Sequence, residues 1–160
     1  MKILLGTTNP SKVNHFSDLL KECDVEFVTL KDLAITAEPE ENGTTPEENA
    51  ILKAKFYGQY FDVVICNDTG LYFEEFALDD VRQPGLNVRT PMQMERLTDE
   101  EMIDYYSRLI GTLGGKVSAY YLDGIAVYHH GSIEGSKENI IKDQYAKSIV
   151  DFLKKSLQIA

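Results

Sequence analysis

Long hydrophobic runs are missing from this chain. No apolar stretch approaches the roughly 20 residues that a bilayer span requires, and Met1 leads into the short run Ile3-Leu4-Leu5 without a signal-type apolar region and cleavage site. The expectation is a cytoplasmic protein with no membrane partner. Cysteine is scarce as well: Cys23 and Cys66 have no CxxC spacing and no flanking histidine pattern, which excludes a disulfide framework and a zinc site. They read as a helix-end residue and a buried strand residue. Positive charge is in short supply, with 16 Lys and Arg against 26 Asp and Glu, a formal net charge of -10 and a pI near 4.7. That excludes long nucleic acid as a partner, because its affinity rests on neutralising many phosphates. A single nucleotide stays possible, since a local lysine cluster or a magnesium ion held by carboxylates reverses the sign locally. Repeats, low-complexity tracts and separating linkers are absent too, so the 160 residues, 43% hydrophobic, read as one domain, 1–160, large enough for a real core.

What is present is an alternation of strand and helix patterns. Residues 2–6 read as a strand, 10–22 as a helix with Val13, Phe16, Leu19 and Leu20 on its apolar face, and 24–30 as a second strand. A loop spans 31–44. Thr45 then reads as an N-cap, Pro46 as the first helical residue and Glu48 as the capping-box partner of a helix reaching about Tyr60. Val63-Val64-Ile65-Cys66 reads as a strand buried on both sides, ending in Asn67-Asp68-Thr69-Gly70. Leu71 to Phe76 reads as further strand, 79–96 as irregular, and Thr98 as the cap of a helix to about Ile110, with Glu101 at the capping-box position. Gly114-Gly115 makes a turn. Lys116 to His130 reads as one or two long strands with a hairpin bend near Asp123-Gly124, Ser132 to Glu134 as a short continuation, and 138–157 as a closing helix. In that helix Ile140, Ile141, Tyr145, Ile149, Phe152 and Leu153 recur at helical spacing. The pattern predicts an α/β fold with flanking helices.

Three polar clusters fall at the ends of expected elements, where α/β sheets bind ligands. Thr7, Thr8, Asn9 and Lys12 follow the first strand, so hydroxyl, amide and backbone N–H groups at a helix start would meet an anion, with Lys12 in reach of it. Glu38, Glu40 and Glu41, with Lys53 downstream, offer carboxylates for a hard divalent cation. Asn67, Asp68 and Thr69 put a carboxylate at a strand tip, where Asp68 could orient or deprotonate a water. Magnesium takes one or two carboxylates plus substrate phosphates and water, which the Glu40-Glu41 pair and a triphosphate would supply. Taken singly these are also an ordinary capped turn, a solvated acidic loop and a common strand-end turn. Together, and in this order, they predict a metal-assisted phosphoryl site. His129 and His130 would point to opposite faces of a strand end, so at most one could reach a site, and Tyr120, Tyr121 and Tyr128 read as sheet core or interface.

The runs TTNPSKVNHFSDLL, EPEENGTTPEENAILKAK and ICNDTGLYFEEF resemble three signature segments of the inosine/xanthosine triphosphate pyrophosphatase family, hydrolases of deaminated purine nucleotides. Those segments have the forms Thr-Gly-Asn-x-x-Lys, Glu-x-x-Gly-x-[Ser/Thr]-x-x-Glu-Asn-Ala and Asp-Asp-[Ser/Thr]-Gly-Leu. A weaker fourth match is Gln83-Pro84-Gly85-Leu86-Asn87-Val88-Arg89. The resemblance covers roughly residues 1 to 90. It implies cleavage of a nucleoside triphosphate to the monophosphate and pyrophosphate, with magnesium and a carboxylate-activated water. It also implies a homodimer and, within the α/β fold, a long, twisted mixed sheet with flanking helices, forming two lobes around a nucleotide cleft. Residue by residue, it implies catalytic roles for Asp68, Lys12 and Lys53, and substrate contacts from Thr7, Thr8, Asn9, Lys12, Lys53, Thr69, Gly70 and Arg89. The metal ligands it implies are Asp68 and Glu40, with Glu41 a close competitor.

Departures from the pattern shape the expectation. Thr8 stands at a usual glycine, Asn67 at a usual acidic residue, and Thr90 at the common aromatic after Arg89. Asn67 brings no charge, so metal affinity would rest on Asp68 and Glu40 or Glu41. The family's Gly-Phe-Gly-Tyr-Asp-Pro and Ser-His-Arg segments, which read the purine base, have no counterpart: from His130 the chain runs GSIEGSKENIIKDQYAKSIVDFLKK. A base pocket without matched buried donors discriminates poorly, so a different or broader substrate range is expected. Two other readings remain open at this point: a nucleotide-binding sensor or regulatory protein that lost turnover, and a divergent hydrolase of other nucleotides or phosphate esters.

Overall fold

A computed structural model describes residues 1–139 and 144–160, with backbone only at 137–139 and 144–146. In chain order the elements are β1 (Lys2–Leu5), α1 (Pro10–Leu19), β2 (Glu26–Thr29), α2 (Pro46–Tyr57), β3 (Val63–Phe73), α3 (Asp99–Thr112), β4 (Ala119–His129), β5 (Ser132–Asn139) and α4 (Gln144–Leu157), with a short 3-10 turn at Pro91–Gln93. The five strands form one sheet in the order β2-β1-β3-β4-β5, and β1 runs parallel to both β2 and β3. A mixed sheet with four flanking helices bears out the α/β expectation. The chain divides into two compact units, one made of Met1–Asp68 with Asp123–Ala160 and the other of Thr69–Leu122.

Strand alternation builds two apolar layers in the first unit. Ile3, Leu5, Val63, Ile65, Ile125 and Val127 point to one face, where Phe16 and Leu20 and the Ile149, Leu153 and Leu157 stripe of α4 cover them. Leu4, Val64, Cys66 and Ala126 point to the other, against Ala50, Ala54 and Tyr57 of α2. Small residues on α2 let it lie close to the sheet. Gly6 serves the same contact, since a Cβ there would stand 2.3 Å from Cys66 Sγ. Burial pushes the Cys66 thiol up to about 12, so it packs as a neutral hydrophobe.

In the second unit, Leu71 and Gly85 exchange backbone hydrogen bonds of 3.0 and 2.6 Å, and Gln83 fastens the same loop by accepting from Phe73 N and donating to Phe73 O. The Tyr72 ring stacks on Tyr120 at 5.6 Å. At the start of α3, Thr98 and Glu101 form the expected capping box. Gly114 and Gly115 both adopt positive φ in the expected turn.

Four expectations are corrected. The strand through Val63 does not end at Asn67-Asp68-Thr69-Gly70; β3 continues unbroken to Phe73. Turn-forming side chains can hold a turn only if they bond locally. Here Asn67 bonds to Asp123 and Asp68 accepts from Asn49, so the backbone stays extended. Asp123-Gly124 likewise lies inside β4, and the hairpin turns at His130-Gly131, whose φ values of 48° and 91° are those of a two-residue primed turn. At α2, Thr45 caps Glu48 N as expected, but the Glu48 carboxylate accepts from Thr44 N and Thr44 Oγ1 instead of closing a box on Thr45. Glu138 belongs to β5 and α4 starts at Gln144, while Ile140 and Ile141 lie outside the described residues.

Gly124 is required because a Cβ at that position would stand 2.2 Å from Glu47 N and Pro46 C, backbone atoms that cannot rotate away. Gly124→Ala is therefore expected to destabilise by at least about 1–3 kcal/mol, the cost of overpacking. Thermal unfolding checks this. Gly111, with nothing within 4 Å of its would-be Cβ, is the contrast: Gly111→Ala in α3 is expected to raise stability by about 0.5–1 kcal/mol.

Candidate functional site

The site begins where β1 runs out. Its last rungs to β3 are Leu4 to Val64 and Leu5 to Ile65, closed by Gly6 N donating to Ile65 O at 2.9 Å. Strand carbonyls alternate sides, so the next one on the β1 side of β3 belongs to Asn67. Among the described residues no strand neighbour reaches it. Two lysines do: Lys12 Nζ lies 3.5 Å and Lys53 Nζ 3.3 Å from Asn67 O. These are long contacts in which charge counts for more than hydrogen-bond geometry.

Each lysine comes from a different side of the sheet. Lys12 is on α1, one turn before Phe16 in the first apolar layer, and Asn67 and Asp123 follow the strand alternation of that same face. Lys53 is on α2 beside Ala54 in the second layer, and Asp68 follows the alternation of that face. Asn67 Nδ2 donates to Asp123 Oδ1 at 3.0 Å, with Asn67 and Asp123 only 5% and 2% exposed. On the opposite face Asn49, 4% exposed, donates to Asp68 Oδ2 at 2.9 Å while its Oδ1 accepts from Gly43 N at 2.8 Å. Gly43 must be glycine for this, since a Cβ would stand 2.6 Å from Asn49 Oδ1. Lys53 also pairs with Glu41 at 2.5 Å and lies 3.9 Å from Asp68 Oδ1.

The loop after β1 is already braced. Thr7 Oγ1 accepts from Asn9 N at 3.1 Å and Asn9 Oδ1 accepts from Ser11 N at 2.9 Å, so Asn9 is the N-cap of α1 and Pro10 its first residue. Those two N–H groups are used internally. What the loop presents outward is the Thr7 hydroxyl proton, the Asn9 amide NH2 and the exposed Thr8.

Holding two ammonium groups at one carbonyl is unfavourable by itself. Burial and the neighbouring Lys53 hold Lys12 below the ordinary lysine range, opposed by Asp68, Asp123 and Glu41. Perturbed charged groups of this kind cluster at functional sites.

The sequence matches the Ham1 family over residues 3–151. The chain belongs to that family. It is 34% identical over 156 residues to a dITP/XTP pyrophosphatase of Thermoanaerobacter pseudethanolicus, a match covering 94% of this chain and 72% of the relative. A dITP/XTP pyrophosphatase of Caldanaerobacter subterraneus subsp. tengcongensis is also 34% identical over 156 residues, covering 96% and 73%. Among solved structures, the Ham1 protein of Staphylococcus aureus superposes with a TM-score of 0.70 at 25% identity, over 88% of this chain and 70% of that one. The resemblance in the sequence is thereby borne out.

Within this Ham1 chain, Lys12, Lys53, Asp68 and Glu41 come together, joined to the Thr7–Asn9 loop through α1. Glu40 is exposed and makes none of these contacts among the described residues, whereas its neighbour Glu41 pairs with Lys53. Thr69, Gly70 and Arg89 belong to the second unit. There Arg89 donates to Asp99 Oδ1 at 2.7 Å and to Leu97 O at 3.4 Å. For a metal, the oxygen donors present are Glu41 and Asp68, and no group of three or more His, Cys, Asp or Glu encloses an ion among the described residues. Two hard carboxylates suit a cation that completes its shell with phosphate oxygens and water.

Sequence reasoning missed Asn49 and Asp123. Asn49 stands at the asparagine of the second signature segment but was given no role, and Asp123-Gly124 carries the signature of a turn. The signal for Asn49 was its place in that segment, and for Asp123 the strand register, which sets it beside Asn67.

Because the Lys12 charge is penalised in the folded state, Lys12→Met is expected to leave Tm unchanged or higher, within a few degrees. The sign follows from the lowered value. Below the folded-state pKa lysine is charged in both states and the penalty is full; it fades as pH rises from there toward 10.5. The stability gap between the variant and the parent should therefore narrow on the alkaline side. A clear fall in Tm at neutral pH would show instead that Lys12 is a stabilising partner.

Proposed function

We propose that this chain hydrolyses non-standard purine nucleoside triphosphates, of the dITP and XTP type, to the monophosphate and pyrophosphate. The observation that carries the reading is the convergence of Lys12 and Lys53 on the Asn67 carbonyl with Asp68 beside them. The names of the relatives support the substrate class.

Phosphoryl transfer asks a protein mainly to position the reactants and neutralise their charge. Lys12 and Lys53 would each meet phosphate oxygens, one from each side of the sheet. Thr7, Thr8 and Asn9 would add neutral donors at the start of α1, whose positive end favours an anion. Asp68 would accept the proton of the water that attacks the α-phosphorus, as the bond to the bridging oxygen breaks and pyrophosphate leaves. The Asn49 NH2 group holds Asp68 Oδ2, which turns Oδ1 toward the lysine side. Glu41 and Asp68, with Glu40 as the alternative to Glu41, would hold the ion, and magnesium bound there would draw charge from the phosphates and lower their repulsion. The same reading takes a cytoplasmic homodimer as the working form; no helix among the described residues is long and apolar enough to cross a membrane.

Incubation with ITP, XTP, dITP and the four standard triphosphates plus magnesium should yield pyrophosphate. No product from any of them would overturn the enzyme reading, and a thermal shift without hydrolysis would point to a sensor. Asp68→Asn is expected to lower kcat by about 100- to 10,000-fold, the usual worth of a general base. Nucleotide-induced thermal stabilisation should survive that change. Loss of the stabilisation would make Asp68 chiefly a metal ligand.

A further inference from the structure

Position 67 is where the family pattern has an acidic residue and this chain has asparagine. A site for a polyanion and a cation does not give up a carboxylate without consequence, so the surroundings of Asn67 matter. The side chain it bonds is itself a carboxylate. Asp123, on the adjacent strand β4 and on the same face of the sheet, accepts from Asn67 Nδ2 at 3.0 Å and is 2% exposed.

Asp123 can only accept, so the Asn67 amide must turn its NH2 group toward it. That leaves Asn67 Oδ1 as a buried acceptor with no donor among the described residues. An unmet buried acceptor costs free energy, and ordinary packing would have removed it. The arrangement makes sense if what matters is a negative charge at this spot. Lys12 comes down on this face from α1, and the Asp123 charge acts on it against the effects of burial and of Lys53. Each face of the sheet thus carries a lysine, a strand carboxylate and an amide: Lys12, Asp123 and Asn67 on one, Lys53, Asp68 and Asn49 on the other, where Glu41 also pairs with Lys53.

We propose that Asp123 is a positioning residue of the phosphate site, supplying from β4 the carboxylate that the family pattern carries at position 67 on β3. The charge has moved across one strand while the hydrogen-bonded acid–amide pair is kept. Its work is to hold the Lys12 ammonium in place for the ligand. The proposal rests on the phosphate-site reading above and goes beyond it, because the resemblance assigns Asp123 nothing.

A charge exchange tests it. D123N keeps size and hydrogen-bonding capacity and removes the charge; N67D/D123N restores the charge on the other strand. D123N is expected to lower kcat/KM roughly 10- to 100-fold, mainly through KM, the range typical of an outer positioning partner. The double variant should recover most of that loss, which a merely structural role for Asp123 would not predict. N67D alone should lower Tm, because two carboxylates then share one buried place. The second readout is the thermal shift produced by inorganic tripolyphosphate in EDTA, expected to weaken in D123N and return in N67D/D123N. If the parent protein binds tripolyphosphate but turns over no nucleotide, the pyrophosphatase reading fails and this readout still decides the role of Asp123. A double variant no better than D123N, a D123N protein equal to the parent in both readouts, or an N67D protein as stable as the parent would overturn the proposal.

Discussion

A backbone carbonyl left over at the edge of a short strand organises this molecule. β1 supplies four residues and stops, while β3 runs for eleven, so the Asn67 carbonyl emerges beyond the end of β1 with no strand among the described residues to receive it. Backbone acceptors at the end of a buried sheet must find a donor. The chain supplies two ammonium groups, and everything else in the site follows from how they are brought there. α1 starts within a few residues of β1 because Asn9 and Pro10 cap it at once, which carries Lys12 over one face. α2 lies close on the other face because Ala50, Ala54 and Gly124 leave it room, which brings in Lys53.

The energetic cost of this arrangement explains its partners. Two cations near one oxygen repel each other, and burial weakens Lys12 further. Carboxylates on both faces offset that repulsion. Neither carboxylate is left to find its own position. Asn49 holds Asp68 and is itself held by the Gly43 N–H, and Asn67 holds Asp123. Amides suit this work, because an NH2 group fixes an ionised carboxylate without adding charge. The acidic surface of the protein as a whole is thereby compatible with a local site for polyanions, since the nearest charges decide at these distances and distant ones are screened.

Much of the frame was legible in the residues. The parallel strands β1, β2 and the first half of β3 follow from short apolar runs, and the starts of α1, α2 and α3 follow from Asn9-Pro10, Thr45-Pro46 and Thr98 with Glu101. Local chemistry decides such features, and local chemistry is written in consecutive residues. Asn67-Asp68-Thr69-Gly70 and Asp123-Gly124 misled for the complementary reason. Both pairs have the composition of turns, yet their side chains bond across strands, and Gly124 answers to the backbone of α2. A residue's own propensity yields when a partner far along the chain satisfies it better.

By itself the sequence determined the α/β alternation, the helix caps, the two buried faces of β3 and the presence of Lys12, Lys53 and Asp68 in a recognisable order. Each depends on neighbours a few residues away. The tertiary structure decided which groups act together: that both lysines share one carbonyl, that Glu41 rather than Glu40 pairs with Lys53, and that Asn49 and Asp123 belong with Asp68 and Asn67. Those contacts join residues 12 to 56 positions apart. Strand order and register set them, and both are properties of the packed sheet that no stretch of sequence contains.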